Sequence, residues 1–190
     1  MDVYAARLAE LIQADARFSS ILKAVRDCDP PDWLVGGGVL RNLVWDHLHG
    51  YATRPTALRD VDVAYFDGGD LRDGRDHEVE RCLCARLPGV PWQAKNQAGV
   101  HLWYERVFGF PVQPLVSSVD GVGTWPETAT SVAVRLLADG ELRIVAPCGL
   151  SDLFQGILRR NPRRVTQEIF EDRLREKRIV EKWPQVRVVR

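Results

Sequence analysis

The chain has 190 residues, and its 26 basic and 26 acidic side chains give a formal net charge of zero. This length fits one domain, and 45% hydrophobic residues are enough to bury a core, so wholesale disorder is excluded. Zero net charge argues against a protein that coats nucleic acid or anionic membrane. No segment approaches the roughly 18 consecutive apolar residues of a membrane span, so we expect no membrane partner.

The four cysteines and the N-terminus bear on the cellular compartment. Cys28, Cys82, Cys84 and Cys148 form no CxxC pair and fall short of the density of a disulfide scaffold. The N-terminus mixes acids and arginines with its apolar residues, unlike a secretory signal. These features predict a cytoplasmic protein with reduced, partly buried thiols.

The first quarter of the chain has the spacing of helices. Apolar residues recur every three or four positions from Tyr4 to Val25, which predicts one amphipathic helix or two short ones. The pattern ends at Cys28-Asp29-Pro30-Pro31, because tandem prolines cannot continue a helix. Residues 32–50 then predict a strand, a turn of three glycines and a further helix from about Val39.

The middle of the chain predicts a sheet. Residues 61–66 and 90–96 have the composition of strands, and they flank a helix predicted around residues 75–87. Residues 130–137 alternate buried and exposed types, and Asp139-Gly140 is a strong hairpin signal before a return strand. With helices at both ends, the fold class is expected to be mixed α/β.

The tail is predicted to be helical near residues 151–159 and 165–182, with a break at Asn161-Pro162. Residues 159–190 carry 11 basic side chains against 5 acidic ones, so the neutral chain combines a basic tail with an acidic remainder. A solvated, salt-bridged helix accounts for such a tail. A cluster of four arginines nevertheless leaves open a local contact with a phosphate-bearing partner. These are Arg159, Arg160, Arg163 and Arg164.

The three glycines stand between a predicted strand and a predicted helix. At Gly36, Gly37 and Gly38 the backbone can approach a ligand closely, and the start of the helix offers free N–H groups to phosphate oxygens. Arg41, one turn into that helix, adds a cationic fork for a phosphate. A tight turn without a ligand is the alternative interpretation.

Two aspartates lie at the next predicted strand. Asp60 and Asp62 flank Val61, and because strand side chains alternate, both carboxylates project from the same face. Adjacent acids repel each other unless a cation neutralises them, and this oxygen set suits Mg²⁺. A solvated strand face is the alternative interpretation.

The strand, glycine turn, helix and Asp-x-Asp strand together resemble the DNA polymerase β-like nucleotidyltransferase superfamily. The run Gly38-Val39-Leu40-Arg41-Asn42 is most similar to the head of the CCA-adding and poly(A) polymerase branch. Twenty-one residues separate Gly38 from Asp60, which is more than that branch usually has. An extra loop is therefore expected around residues 49–58.

Nearly the whole chain resembles a bacterial family of small nucleotidyltransferase-fold proteins. The resembling segments are residues 37–46, 60–67, 95–98 with His101, 125–130, and 146–147 with 149–154. The resemblance implies a nucleotidyltransferase fold with a mixed central sheet, flanking helices and a C-terminal helical extension. It also implies a nucleotidyltransferase-like domain over residues 1–150 and a basic extension over residues 151–190 packed on it.

The resemblance further implies a reaction and roles for the site residues. The glycines and Arg41 would hold the nucleotide phosphates, while Asp60 and Asp62 would hold Mg²⁺ (or Mn²⁺) and take part in catalysis. The implied reaction transfers a nucleoside monophosphate from a nucleoside triphosphate to a hydroxyl acceptor by in-line displacement. The acceptor is left open between a small molecule, an RNA end and a protein side chain.

One position departs from the family's pattern. The family usually has a third carboxylate, a glutamate, on the neighbouring strand, where this chain has Gln93. An amide can ligate a metal through its oxygen but cannot act as a carboxylate base. Either Asp120 or Glu127 supplies the acid, or the protein is a nucleotide-binding or interaction module without catalysis.

Three further residues are candidate substrate contacts. We expect Lys95 to meet a triphosphate, Asn96 to meet a base or sugar edge, and His101 to contact the substrate or carry a proton. The alternative for each is a polar group that satisfies the local backbone. An enzyme that acts on RNA and docks it on the basic tail is a third hypothesis, beside the enzyme with another acceptor and the silent module.

Overall fold

The structure is a computed structural model that describes residues 3–190. Its helices are α1 (Val3–Ala14), α2 (Ala16–Cys28), α3 (Gly38–Leu48), α4 (Arg75–Arg86), α5 (Val100–Phe108), α6 (Ser118–Val122), α7 (Ser151–Phe154), α8 (Gln167–Lys177) and α9 (Ile179–Lys182). Its strands are β1 (Leu34–Gly36), β2 (Val61–Tyr65), β3 (Trp92–Asn96), β4 (Ala133–Leu136), β5 (Leu142–Val145), β6 (Ile157–Arg159) and β7 (Arg187–Val189). Within these described residues, no helix is both long and apolar enough to cross a membrane.

Five strands form one mixed sheet in the order β3-β2-β1-β4-β5. β1 pairs antiparallel with both β2 and β4, β2 pairs parallel with β3, and β4 and β5 form the predicted hairpin. β1 is therefore the central strand, and the glycine turn that follows it lies at the middle of the sheet. The predicted mixed sheet with flanking helices is confirmed.

The N-terminal segment forms two helices, which was one of the two alternatives. Asp15 separates them with an extended backbone, and its Oδ1 accepts a hydrogen bond from the backbone N–H of Phe18 at 2.7 Å. α2 ends at Asp29, which has a left-handed backbone with φ 45° directly before the two prolines. The capping aspartate and the prolines thus set the length of α2.

The tail differs from its sequence prediction in two places. Residues 151–159 are not one helix, because α7 has a single turn and Gly156, at φ 61°, directs the chain into β6. β6 pairs in parallel with β7 in a second, two-stranded sheet. The helix predicted over residues 165–182 is divided into α8 and α9 at Arg178, whose φ is 50°.

One hydrophobic core joins the two ends of the chain, since it includes residues of α1, α2, α8 and the C-terminal Trp183. The Trp183 ring is fully buried and meets Trp45 edge to face at 5.5 Å, while its Nε1 donates to Asp46 at 2.8 Å. Asp46 also accepts hydrogen bonds from the backbone N and the Oγ1 of Thr56, each at 2.7 Å. These bonds tie both the expected extra loop and the C-terminus to α3.

The expectation of four reduced, partly buried thiols is wrong. Cys28, at the end of α2, and Cys82, on α4, form a disulfide across 54 residues of sequence, while Cys84 and Cys148 are free and exposed. The pairing escapes sequence reasoning because α2 and α4 come together only through their packing on the sheet.

Replacing Trp183 tests whether the C-terminal segment stabilises the whole fold. Trp183→Ala is expected to lower the free energy of unfolding by about 3–5 kcal/mol, because it leaves a large cavity beside Trp45 and removes a hydrogen bond from buried Asp46. Val180→Ala is the control, since this side chain is 41% exposed on the neighbouring helix. Urea denaturation of both variants measures the difference, and equal midpoints would contradict a shared core.

Candidate active site

A cleft of about 350 Å³ lies beside the glycine turn. The turn, the Asp-x-Asp strand, β3, the segment before β4 and helix α8 all contribute to it. Its lining residues are Gly37, Gly38, Arg41, Asp60, Asp62, Gln93, Trp125, Pro126, Glu127, Thr130, Arg173 and Lys177. The structure therefore brings together five of the residues singled out as a site from the sequence: two glycines, one arginine and two aspartates.

The glycines have separate structural reasons to lack a side chain. A Cβ on Gly36 would lie 2.3 Å from the carbonyl oxygen of Val132, so this glycine allows β1 to pack against β4 and does not line the cleft. Gly37 has φ 66°, and a Cβ there would lie 3.0 Å from Oδ2 of Asp62. Any side chain at position 37 would therefore crowd the Asp62 carboxylate.

Asp60 and Asp62 form the acidic wall of the cleft. Asp62 lies on β2 opposite Gly36 of β1, and Asp60 lies one residue before the strand begins. Burial raises the pKa of the Asp62 carboxyl to about 6, and the negative charge of Asp60 adds to the increase. Neither aspartate forms an ion pair with any residue of the described chain, so the two charges repel each other.

The position expected to hold a third carboxylate is occupied by an amide. Gln93 of β3 pairs in register with Asp62 of β2 and lines the cleft. Glu127 also lines the cleft, but its carboxylate is buried and accepts bonds from Arg173 Nε and Thr130 Oγ1, each at 2.8 Å. Within residues 3–190, no group of three or more His, Cys, Asp or Glu side chains is placed to hold a metal ion.

The other acid considered from the sequence lies elsewhere. Asp120 is at the start of α6, where its carboxylate pairs with Arg163 and accepts a hydrogen bond from the backbone N–H of Val116. It does not line the cleft. Of these two acids, Glu127 lines the cleft and Asp120 does not, and the Glu127 carboxylate is paired with Arg173.

Four cations, two of which line the cleft, form a set that we call the cation group. They are Arg41, Arg59, Lys177 and Lys182. Burial lowers the pKa of Lys182, and the positive charges of the other three lower it further. Arg59, Lys177 and Lys182 form no ion pair among residues 3–190, although the charge of Lys177 acts on Asp62.

Arg41 is held in place by aromatic rings. Its guanidinium lies 5.7 Å from the ring centre of Trp45 and 5.2 Å from that of Trp183, and Nη2 donates to Oδ1 of Asn42 at 2.8 Å. Burial is the main cause of its lowered pKa, although Glu127 and the two aspartates act in the opposite direction. The C-terminal tryptophan thus orients the arginine predicted to bind phosphate.

Lys95, Asn96 and His101 lie away from the cleft. Lys95 Nζ pairs with Asp76 Oδ2 at 2.5 Å. The Asn96 amide donates to two backbone carbonyls and accepts from the backbone N–H groups of Asp67 and Ala98, as the structural alternative for this residue supposes. His101 is on α5, and its Nδ1 is buried without a hydrogen-bond partner among the described residues.

The four-arginine cluster of the tail is used inside the protein. Arg159 pairs with Asp152 at 2.9 Å, and Arg163 pairs with Asp120. Arg160 Nη1 donates to the carbonyl of Val165 at 2.7 Å, and Arg164 Nη2 donates to that of Gln113 at 2.5 Å. The two lysines of the cation group are further tail cations that form no ion pair among residues 3–190.

Sequence reasoning did not identify Trp125, Arg173 or Lys177 as site residues. Trp125 lay within a segment that carried the family resemblance, and its ring approaches within 3.3 Å of the position of a Gly37 Cβ. Arg173 and Lys177 are four residues apart on α8, so they share one face of that helix. Their spacing was visible in the sequence, but nothing local indicated that this face meets β2.

Comparison with known proteins agrees with this fold. Residues 23–188 match the model of a family described as nucleotidyltransferase. The chain belongs to that nucleotidyltransferase family. No curated protein sequence matches the chain.

Solved structures add a closer likeness in three dimensions. An NMR structure described as revealing a CCA-adding enzyme head domain is 25% identical, with a TM-score of 0.79 over 96% of this chain and 94% of that one. A CCA-adding enzyme in complex with CTP is 15% identical, with a TM-score of 0.56 over 98% of this chain and 43% of that one. The Thermotoga maritima CCA-adding enzyme complexed with tRNA is also 15% identical, with a TM-score of 0.56 and coverage of 96% and 42%. The chain spans less than half the length of these two enzymes, which share its fold.

The raised pKa of Asp62 predicts a stability that depends on pH. Between the ordinary value of 3.8 and about 6, the folded protein holds a proton that the unfolded chain has lost, so stability falls as the pH rises through this window. Asp62→Asn removes the charge and is expected to raise the free energy of unfolding by about 1–2 kcal/mol more at pH 7.5 than at pH 4.5. Denaturation in EDTA measures both values.

Asp73→Asn is the control for this experiment, because Asp73 is exposed and lies outside the cleft. It is expected to change stability equally little at both values of pH. A gain for Asp62→Asn that is the same at pH 4.5 and pH 7.5 would show that charge repulsion is not its cause.

Proposed function

We propose that this protein transfers a nucleoside monophosphate from a nucleoside triphosphate to a hydroxyl acceptor. The observation that carries the proposal is the charge arrangement of the cleft. The acidic wall carries two aspartates that form no ion pair among residues 3–190, and Arg41 and Lys177, which line the same cleft, form none either. A bound triphosphate supplies negative charge to Arg41 and Lys177, and a divalent cation bound with it supplies positive charge to the two aspartates.

The triphosphate is proposed to lie along the glycine turn. Gly37 and Gly38 give its oxygens access to the backbone at the start of α3, an eleven-residue helix with no side-chain cap on its first N–H groups. Arg41 and Lys177, which both line the cleft, are within reach of the outer phosphates. Pairing with phosphate would remove the repulsion within the cation group.

Asp60 and Asp62 are proposed to hold Mg²⁺ (or Mn²⁺). Their carboxylates are hard oxygen donors, and their mutual repulsion, together with the raised pKa of Asp62, fits a site that a cation completes. The amide oxygen of Gln93, directly across from Asp62, is a further neutral donor. When bound, the metal would neutralise phosphate charge that develops during displacement.

The protein's own residues position the reacting groups. The glycine turn and Arg41 fix the triphosphate so that its α-phosphorus faces the acidic wall. The acceptor oxygen forms a bond to that phosphorus as the bond to the bridging oxygen breaks, and pyrophosphate leaves with the electron pair. The acceptor proton leaves to water, because Gln93 cannot accept it. Lys177 and Arg41 stabilise the departing negative charge.

The charge argument is tested by replacing one lysine. Lys177→Gln is expected to weaken the binding of each nucleoside triphosphate about tenfold, measured by titration calorimetry with Mg²⁺, because it removes an unpaired cation from the cleft. The same variant should lower the rate of pyrophosphate release in the presence of a pool of candidate acceptors. The acceptor pool includes hydroxylated small molecules, short RNA and proteins.

Arg175→Gln is the matched control, since Arg175 lies on the same helix but pairs with Asp172 and is exposed. It is expected to bind nucleotide as the unmodified protein does. If the unmodified protein binds no triphosphate, or if both variants bind equally well, the proposed function is wrong.

A binding module without catalysis is the second candidate, and Gln93 is the observation that favours it. The register places this amide directly opposite Asp62, where a third carboxylate would complete the acidic wall. Glu127 does not substitute for it freely, because its carboxylate is already bonded to Arg173 and Thr130. The two candidates differ in whether bound triphosphate is converted to pyrophosphate.

Gln93→Glu separates the enzyme from the module. If transfer is limited by the missing base, the substitution is expected to raise pyrophosphate release about a hundredfold, since general bases contribute at about that level. It is also expected to strengthen Mn²⁺ binding. Gln13→Glu, an exposed substitution on α1, is the control for added charge. Triphosphate binding without pyrophosphate release in either protein would favour the module.

A further inference from the structure

A second cavity also includes Asp62 in its lining, and the proposed reaction assigns nothing to it. Its volume is about 270 Å³, and we call it the aromatic cavity after its lining of Trp103, Tyr104, Phe108 and Trp125. It shares Asp62, Gln93, Trp125, Pro126 and Arg173 with the cleft. A group bound there would therefore adjoin Asp62 without occupying the glycine turn, which does not line this cavity.

We propose that the aromatic cavity binds the acceptor, and that the acceptor is a small molecule with a planar ring system, an anionic group and a hydroxyl. This inference rests on the proposed function, because it assigns the second substrate of the same reaction. The cavity's location, its rings and one unpaired arginine each support a part of it.

The rings define the apolar part of the ligand. Three of them come from one helix, α5, with Tyr104 4.4 Å from Phe108 and 6.0 Å from Trp103 between ring centres. Phe108 is 40% exposed at the edge, whereas Tyr104 is buried. A flat ligand that enters past Phe108 would stack on these rings and remove apolar surface from water.

Arg164 defines the anionic part. It lines the aromatic cavity and forms no ion pair among residues 3–190, because Asp120, the acid whose charge acts on it, pairs with Arg163. Its guanidinium lies 5.7 Å from the Tyr104 ring centre, its Nη2 donates to a backbone carbonyl, and its buried Nη1 has no acceptor. A buried donor without an acceptor is costly, and a carboxylate or phosphate of the ligand would satisfy it.

The other cations of the cavity are already neutralised. Lys95 pairs with Asp76, and Arg173 pairs with Glu127 at 2.8 Å. Arg164 is thus the lining cation available to an anion. Because Asp62 lies at the end shared with the cleft, a ligand anchored at Arg164 presents its far end to the acidic wall.

The same contacts favour a small molecule over an RNA end. An RNA strand needs several unpaired cations along its backbone. Three of the four arginines clustered in the tail are instead satisfied within the protein: Arg159 and Arg163 by carboxylates and Arg160 by a backbone carbonyl. Within the aromatic cavity, one arginine without an ion pair and a volume of about 270 Å³ fit one anionic group and one ring system, because the cation group is assigned to the triphosphate.

The transfer step balances with this acceptor. The acceptor hydroxyl oxygen forms the new bond to the α-phosphorus, and the bond from that phosphorus to the bridging oxygen of pyrophosphate breaks. Pyrophosphate takes the electron pair, and the hydroxyl proton goes to water. The product is a phosphodiester between the nucleoside and the planar acid.

Binding of a model acid tests the cavity without nucleotide or metal. The probe is 6-hydroxy-2-naphthoate, titrated into the full chain in EDTA and followed by NMR. It is expected to bind at least about tenfold more tightly than neutral 2,6-dihydroxynaphthalene, because only the acid can pair with Arg164. Arg164→Gln is expected to remove this preference, while Arg159→Gln, whose side chain pairs with Asp152 outside the cavity, keeps it.

A second variant tests the aromatic cavity independently, in case Arg164→Gln does not fold. Phe108→Ala removes a ring that is already 40% exposed, so it is expected to keep the fold and to weaken the binding of both naphthalenes. No binding of the naphthoate, or equal binding to the unmodified protein and Arg164→Gln, would overturn the proposal. Tighter, strongly salt-dependent binding of a short single-stranded RNA that displaces the naphthoate would overturn it in favour of an RNA acceptor.

Mn²⁺ then tests whether the cavity adjoins the reacting centre. With Mn²⁺ and a triphosphate bound, the naphthoate protons are expected to relax faster, and Asp60→Asn should abolish this effect. Naphthoate that binds but is unaffected in a protein that does bind Mn²⁺ and triphosphate would overturn its role as acceptor. Failure of triphosphate to bind, with naphthoate binding intact, would instead count against the nucleotidyltransferase reaction and hence against an acceptor role.

Discussion

The close approach between the glycine turn and the acidic strand is the constraint on which the rest of the site depends. Gly36 pairs in register with Asp62, so the hydrogen bonds of the sheet set the distance between the turn and the carboxylates. A Cβ on Gly37 would lie 3.0 Å from Asp62 Oδ2 and 3.3 Å from the Trp125 ring. Phosphates bound at the turn and a cation bound at the acids would therefore meet in one place, through backbone geometry rather than through mobile side chains.

The charged side chains of the cleft differ from most others in the molecule, because several of them form no ion pair. Elsewhere, many acids and bases pair with each other, as Arg159 does with Asp152. In the cleft, burial and the charge of Asp60 raise the pKa of Asp62, and nearby, burial and the positive charges of the rest of the cation group lower that of Lys182. Such an arrangement costs stability in the free protein, and binding sites commonly accept that cost because the ligand removes it.

Local features of this structure were predictable from the sequence, and long-range ones were not. The strand, glycine turn and helix, and the pair Asp60 and Asp62, depend on residues within a few positions of each other, so periodicity and turn chemistry indicate them. The strands β6 and β7 have three residues each, which is too short to show a period. They pair directly with each other, although α8 and α9 separate them in the sequence. Asn96 was predicted to contact a ligand, but its side-chain amide forms hydrogen bonds with the backbone of Asp67. The sequence alone does not show that these two residues are neighbours.

The basic tail shows how a charge pattern can indicate the right segment for the wrong reason. Its conspicuous arginines around the proline break include Arg159 and Arg163, which tie the tail to Asp152 and Asp120. Once the tail is tied down, α8 presents Arg173 and Lys177 to the cleft. The first of these is fixed by Glu127, so the second, one turn further along, remains free for a ligand. The tail therefore contributes to the site through a few unpaired cations, and a polyanion that needs a continuous basic track finds little of it here.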